Sequence, residues 1–138
     1  MKIPKVLIYN YPNSGDYRMI NIAEKKIVGK MSVDEKLDLF ISDLEIVKSE
    51  QGKGYGKMFI EFARKLSELK GLGGRLRALV GAKISSENNP PHIFYRKMGF
   101  TTNDEGMLKK IDNCIKNNVP LKLQDTKIVY MYYPETML

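Results

Sequence analysis

The sequence predicts a mixed α/β fold over its 138 residues, on three observations. Short runs of β-branched and aromatic residues fill the first third of the chain. A glycine-rich segment, Gln51-Gly52-Lys53-Gly54-Tyr55-Gly56-Lys57, separates the last of them from a stretch of helical periodicity. A further apolar run, Arg75 to Val80, follows that helix. Strand, helix and strand in this order imply a parallel pair joined by a right-handed crossover.

Taken in order, Val6 to Tyr9 reads as a first strand, closed by the turn-rich Asn10 to Asp16. Tyr17 to Ala23 and Lys26 to Val33 continue as a meander. Leu37 to Val47 is the longest β-like run, with Leu37, Leu39 and Ile41 on one parity and Leu44 and Ile46 on the other. That change of parity near Ser42 and Asp43 predicts a bulge. The helix after the glycines places Tyr55, Met58, Phe59, Phe62, Leu66 and Leu69 toward the core. Gly71, Gly73 and Gly74 end it, and the next strand turns Leu76, Ala78 and Val80 inward. Ser85 to Pro91 is a polar turn, and Pro90-Pro91 is suited to open a short helix, Pro91 to Met98, that Gly99 ends. A helix from Glu105 to Asn118 follows, capped by Asn103 or Asp104, with Met107, Leu108, Ile111, Cys114 and Ile115 as its apolar stripe. Lys127 to Tyr133 closes the chain as a strand.

Composition sets the bounds. A chain of this length forms one domain and buries about two-thirds of its unfolded surface. No run of eighteen apolar residues and no signal-peptide core are present, so a soluble, cytoplasmic protein is expected. Cys114 is the sole cysteine and reads as a small hydrophobe rather than a nucleophile. The net charge of +7 invites nucleic-acid binding, but the lysines are scattered rather than gathered in an aromatic-interleaved tract. Polyphosphate ligands give that charge a simpler use.

A strand that turns through glycines into a helix presents backbone N–H groups at the positive end of the helix dipole, which suits phosphate. A Walker loop would need Ser or Thr after Gly56-Lys57, where Met58 stands. A dinucleotide fingerprint would need Gly-x-Gly-x-x-Gly, whereas Gly52, Gly54 and Gly56 are spaced two and two. The segment instead resembles the Gln/Arg-x-x-Gly-x-Gly/Ala loop of the GNAT superfamily of N-acetyltransferases, with Gln51, Gly54 and Gly56 in the three positions. A second feature agrees: Asn88 precedes Tyr95 by seven residues, in a segment ending Tyr95-Arg96-Lys97-Met98-Gly99-Phe100, similar to the family's other signature. The resemblance runs from about Leu37 to Phe100.

It implies a GNAT-like fold, a central mixed sheet with two splayed parallel strands flanked by helices, as a single domain over residues 1–138. It further implies an acetyl-CoA-dependent N-acetyltransferase acting by direct transfer, without a metal, on a primary amine. Main-chain groups of Leu44, Glu45 and Ile46 would pair with pantetheine, and Gly52, Lys53, Gly54, Tyr55, Gly56 and Lys57, after Gln51, would hold the diphosphate. Asn88 would hydrogen-bond the coenzyme or merely cap a turn. Tyr95 would protonate the leaving thiolate, the alternative being an aromatic that only packs its helix.

Amine acetylation also needs a base. Two positions that carry it in the family are Phe40 and Lys83 here, and neither is a carboxylate. Asp43 and Glu45 are the candidates left, each with the bland alternative of a solvated strand residue. His92 is a titratable group or a surface capping residue. Relatives usually place one or two helices between the first two strands, whereas only Asn10 to Asp16 is present here, so the lid over the acceptor is minimal and a protein or peptide amine is favoured over a small metabolite. A non-catalytic acyl-CoA-binding sensor with the same fold is the rival reading. Either would be a monomer or homodimer.

Overall fold

A computed structural model describes residues 5–81 and 90–134, which fall into two compact units, Met1–Gly73 and Gly74–Leu138. In the first, β1 (Val6–Asn10), β2 (Asp16–Asn21), β3 (Lys26–Glu35) and β4 (Leu39–Ile46) form an antiparallel meander in chain order. Helix α1 (Tyr55–Leu69) packs on β3 and β4. Met19, Met31, Leu39 and Phe59 are fully buried. Lys70, just past α1, pairs with Glu35 at the end of β3.

The expected bulge is present: Ser32 lies opposite Asp43 and Val33 opposite Ile41, which leaves Ser42 as the extra residue of β4. Leu37 departs from expectation. It occupies the three-residue bend between β3 and β4 and is 86% exposed, because a hairpin tip has no layer to pack against. The β1–β2 turn is likewise short, residues 11–15, and is fastened to β3 by Val33 N–H donating to the Gly15 carbonyl at 2.9 Å. A Cβ on Gly15 would stand 2.0 Å from the Val33 carbonyl oxygen, so only glycine allows this approach.

Helix α1 is placed as expected but turned. Met58 and Leu69 are exposed, while Ile60, Ala63 and Ser67 are buried with Phe59. The buried stripe sits about 100° around the axis, one residue's step, from the stripe that hydrophobicity alone selects. Gly56, Ala63 and Ser67 are small, and smallness there lets the helix sit close to its neighbours; a scale of hydrophobicity does not register that advantage.

In the second unit β5 (Leu76–Val80) pairs antiparallel with β6 (Val129–Tyr133), and α2 (Pro91–Lys97) packs against α3 (Glu105–Asn117). Leu76, Ala78 and Val80 are buried, as the alternation predicts. Gly99 ends α2 at φ +96°. Of the two cap candidates Asp104 serves: its carboxylate accepts from the Met107 N–H at 2.9 Å and pairs with Lys127 Nζ at 2.6 Å. Lys127 first, then that N–H, holds the Asp104 carboxyl below its ordinary range. Thr101 forms an isolated antiparallel bridge with Tyr132.

Candidate active site

β4, the 3₁₀ turn Lys48–Glu50 and the glycine loop run without a break into α1. Val47 N–H donates to the Val28 carbonyl at 2.8 Å. By the alternation of an antiparallel ladder, Asp43 and Glu45 then spend their main-chain groups on β3, which removes Glu45 from the three main-chain positions expected to pair with pantetheine, while Leu44 and Ile46 turn theirs to the opposite edge of β4. Gln51 Nε2 donates to the Ile46 carbonyl at 3.2 Å, so this side chain ties the loop to the strand.

Gly52 and Gly54 take φ +81° and +86°, with no atom of the described residues within 4 Å of where a Cβ would project. Their open flank and left-handed backbone bring the chain to the start of α1, where Gly54 is the N-cap and offers no side-chain cap. Met58 N–H makes the first bond, to the Gly54 carbonyl at 3.1 Å. The N–H groups of Tyr55, Gly56 and Lys57 therefore face outward, in a first turn that carries no acidic residue. Helix α3, filled by Asp104, shows the contrast. Residues 52–57 thus fit a diphosphate: a row of N–H donors, a positive helix end and Lys53 and Lys57 beside it.

The two carboxylate candidates lie on the same face of the sheet. Lys30, opposite Glu45 in register, has its Nζ 3.6 Å from Glu45 Oε2 and 3.7 Å from Asp43 Oδ2. Arg18 of β2 is the register partner of Lys30 on the other side. These pairs are half-exposed, which makes them weak restraints.

Tyr95 belongs to the second unit. It is 7% exposed, with edge-on contacts to Phe94 at 5.2 Å and Phe100 at 5.1 Å between ring centroids. Asn88 and Lys83 lie outside the described residues. His92 is neither a surface cap nor a group poised near neutrality. It is 0% exposed, its Nε2 is 2.9 Å from the Lys127 carbonyl, and burial lowers its pKa against the opposing pull of that carbonyl. A cavity of about 170 Å³ between α3 and residues 124–127 holds none of the predicted site residues.

Glu50 has no counterpart among the sequence expectations. It is 2% exposed, and the Lys26 ammonium, then that of Lys53, holds its carboxyl below the usual range. Lys26 is raised in turn by Glu24 and Glu50, and Lys53 by Glu50. Only its place directly before Gln51 could have drawn notice. Among the described residues, no group of three His, Cys, Asp or Glu could hold a metal ion, and no helix is long and apolar enough to cross a membrane.

A glycine loop feeding an uncapped helix from a strand edge defines an α/β protein with a site whose chemistry suits a phosphorylated ligand. The profile of the Acetyltransferase (GNAT) domain matches residues 16–102, more than half of the chain, and the chain belongs to that family. Among solved structures it is similar to a nourseothricin acetyltransferase (21% identity, 88% of this chain and 65% of that one, TM-score 0.59). It is also similar to an IAA acetyltransferase from Bacillus cereus (19% identity, 85% and 75%, TM-score 0.58). A third is the PaiA N-acetyltransferase from Thermoplasma acidophilum in complex with coenzyme A (17% identity, 85% and 58%, TM-score 0.56). The chain spans less than two-thirds of the first and third of these. No curated protein matches it in sequence. The likeness makes its fold the mixed-sheet α/β fold of this family.

Proposed function

We propose that this protein is an N-acetyltransferase that passes the acetyl group of acetyl-CoA directly to a primary amine. The observation that carries the reading is the uncapped start of α1 behind the Gly52–Lys57 loop. In this reading residues 52–57 hold the diphosphate and Gln51 fixes the loop to β4. The outward main-chain groups of Leu44 and Ile46 align pantetheine, the Ile46 N–H standing toward the thioester oxygen. Residues 1–138 act as one domain, which the family match supports by running across both units. The splayed pairing of β4 and β5 belongs to this reading through the family resemblance.

When bound, acetyl-CoA supplies an activated acetyl thioester. Asp43 or Glu45 takes the proton of the attacking amine, directly or through a water. Tyr95 gives its proton to the leaving thiolate, and Asn88 hydrogen-bonds the coenzyme. Proximity in a ternary complex supplies the rest of the acceleration.

The acceptor is a protein or peptide amine. The five-residue β1–β2 turn supports this, since it contributes no covering helix and leaves room for a bulky amine. The experiment is thiol release from acetyl-CoA across free amino acids, small amines and peptides. Release with peptides supports the proposal; release with small amines alone overturns the acceptor class. Tight coenzyme binding with no release on any amine makes the protein a sensor.

A further inference from the structure

Glu50 ends the 3₁₀ turn directly before the glycine loop, and its side chain is 3% exposed. A carboxylate so enclosed is tolerated only where cations answer it. Two do. Lys53 Nζ, inside the loop, lies 2.8 Å from Oε2, and Lys26 Nζ, at the first residue of β3, lies 2.6 Å from Oε1. Lys26 is held from its other side by Glu24 Oε2 at 2.7 Å. One carboxylate thus fastens the loop to the body of the sheet, where Gly52 and Gly54 would otherwise leave it loose.

We propose that Glu50 is a positioning residue for coenzyme binding: it braces Lys53 and the loop backbone against Lys26, so that the N–H groups ahead of α1 are already arranged when a diphosphate arrives. The inference rests on the reading of residues 51–57 as the diphosphate cradle. Glu50 does not itself meet the anion, because like charge repels and each of its oxygens is engaged by an ammonium. Its contribution is preorganisation, which lowers the ordering cost of binding.

Calorimetric titration with coenzyme A tests this on wild type, Glu50→Gln, Lys26→Met and the double variant, with thermal melts alongside. Turnover of acetyl-CoA is compared with that of S-acetylpantetheine, which lacks the diphosphate. Glu50→Gln and Lys26→Met should each weaken coenzyme binding about tenfold, the scale of losing a preset geometry. The double variant should be no worse than Glu50→Gln, since both break one brace. The ratio of kcat/KM for acetyl-CoA to that for S-acetylpantetheine should fall by the same factor. Wild-type affinity in Lys26→Met overturns the inference, and so does a parallel loss on both thioesters, which is the mark of general damage. Lys26 lies outside the loop, so this variant keeps the test decisive even where Glu50→Gln does not fold. A wild type that binds no coenzyme A removes the cradle reading itself.

Discussion

Arg96 grips Asp112 with two nitrogens, Nε to Oδ1 at 2.8 Å and Nη2 to Oδ2 at 3.3 Å, and so bolts α2 to α3. Its Nη1 also donates to the Phe100 carbonyl at 3.1 Å. The fork is planar, and lysine cannot reproduce it. Arg96→Met should destabilise the protein by about 1–2 kcal/mol through lost charge-assisted bonds and an orphaned carbonyl. Arg96→Lys should recover only part of this. Chemical denaturation with unchanged m-values is the check, and equal stability of all three would refute the role.

His92 sets a pH limit on stability. Facing a carbonyl, its Nε2 must carry the hydrogen, and Nδ1 is left buried without a partner among the described residues. The folded state therefore holds a neutral imidazole with a lowered pKa. An unfolded His binds its proton near pH 6.5, so this stability is complete above about pH 6.5 and is lost as pH falls from there through the folded value. Melting temperature should decline over that range in wild type and decline less in His92→Gln. Identical acid limbs would rule out His92 as the cause.

Gly54 and Gly15 should fail in different ways. Gly54→Ala meets no atom but must hold φ +86°, at a cost of about 1–2 kcal/mol. It should remain folded and lose roughly tenfold in coenzyme affinity, as a displaced cradle would. Gly15→Ala drives a methyl group into the Val33 carbonyl and should not yield a folded protein. Titration of the first and a solubility and melting assay of the second test the pair; an unimpaired Gly15→Ala would contradict the turn's geometry.

The proposed acid and base separate by kinetics. Tyr95→Phe keeps both ring contacts and should lower kcat by about 10²-fold or more, with coenzyme affinity retained. Equal loss of affinity would mark Tyr95 as packing only. Of Asp43→Asn and Glu45→Gln, the variant that abolishes the acid limb of kcat/KM identifies the base. If neither does, the base lies elsewhere.

Much of this was legible because it is local. Alternation located the strands, and a parity change located a bulge near Ser42 and Asp43, which the register then assigns to Ser42. Glycine spacing located the loop. What escaped depends on tertiary placement. Nothing in Val47-Lys48-Ser49-Glu50 marks Glu50 as buried, since its cations come from Lys53 and from Lys26, which is 24 positions earlier. The rotation of α1 depends on where small side chains permit close approach, and Met58 and Leu69 mislead a reading by hydrophobicity. His92 reads as a polar helix start until the Lys127 carbonyl, 35 residues later, encloses it.

The seam between Gly15 and Val33 bears on how this scaffold can change. An inserted helix meant to cap the sheet could enter only among residues 11–14, ahead of the stitched glycine, and would have to return to the same knot. The open acceptor side proposed above is in that sense written into one backbone contact, and closing it calls for new chain rather than new side chains.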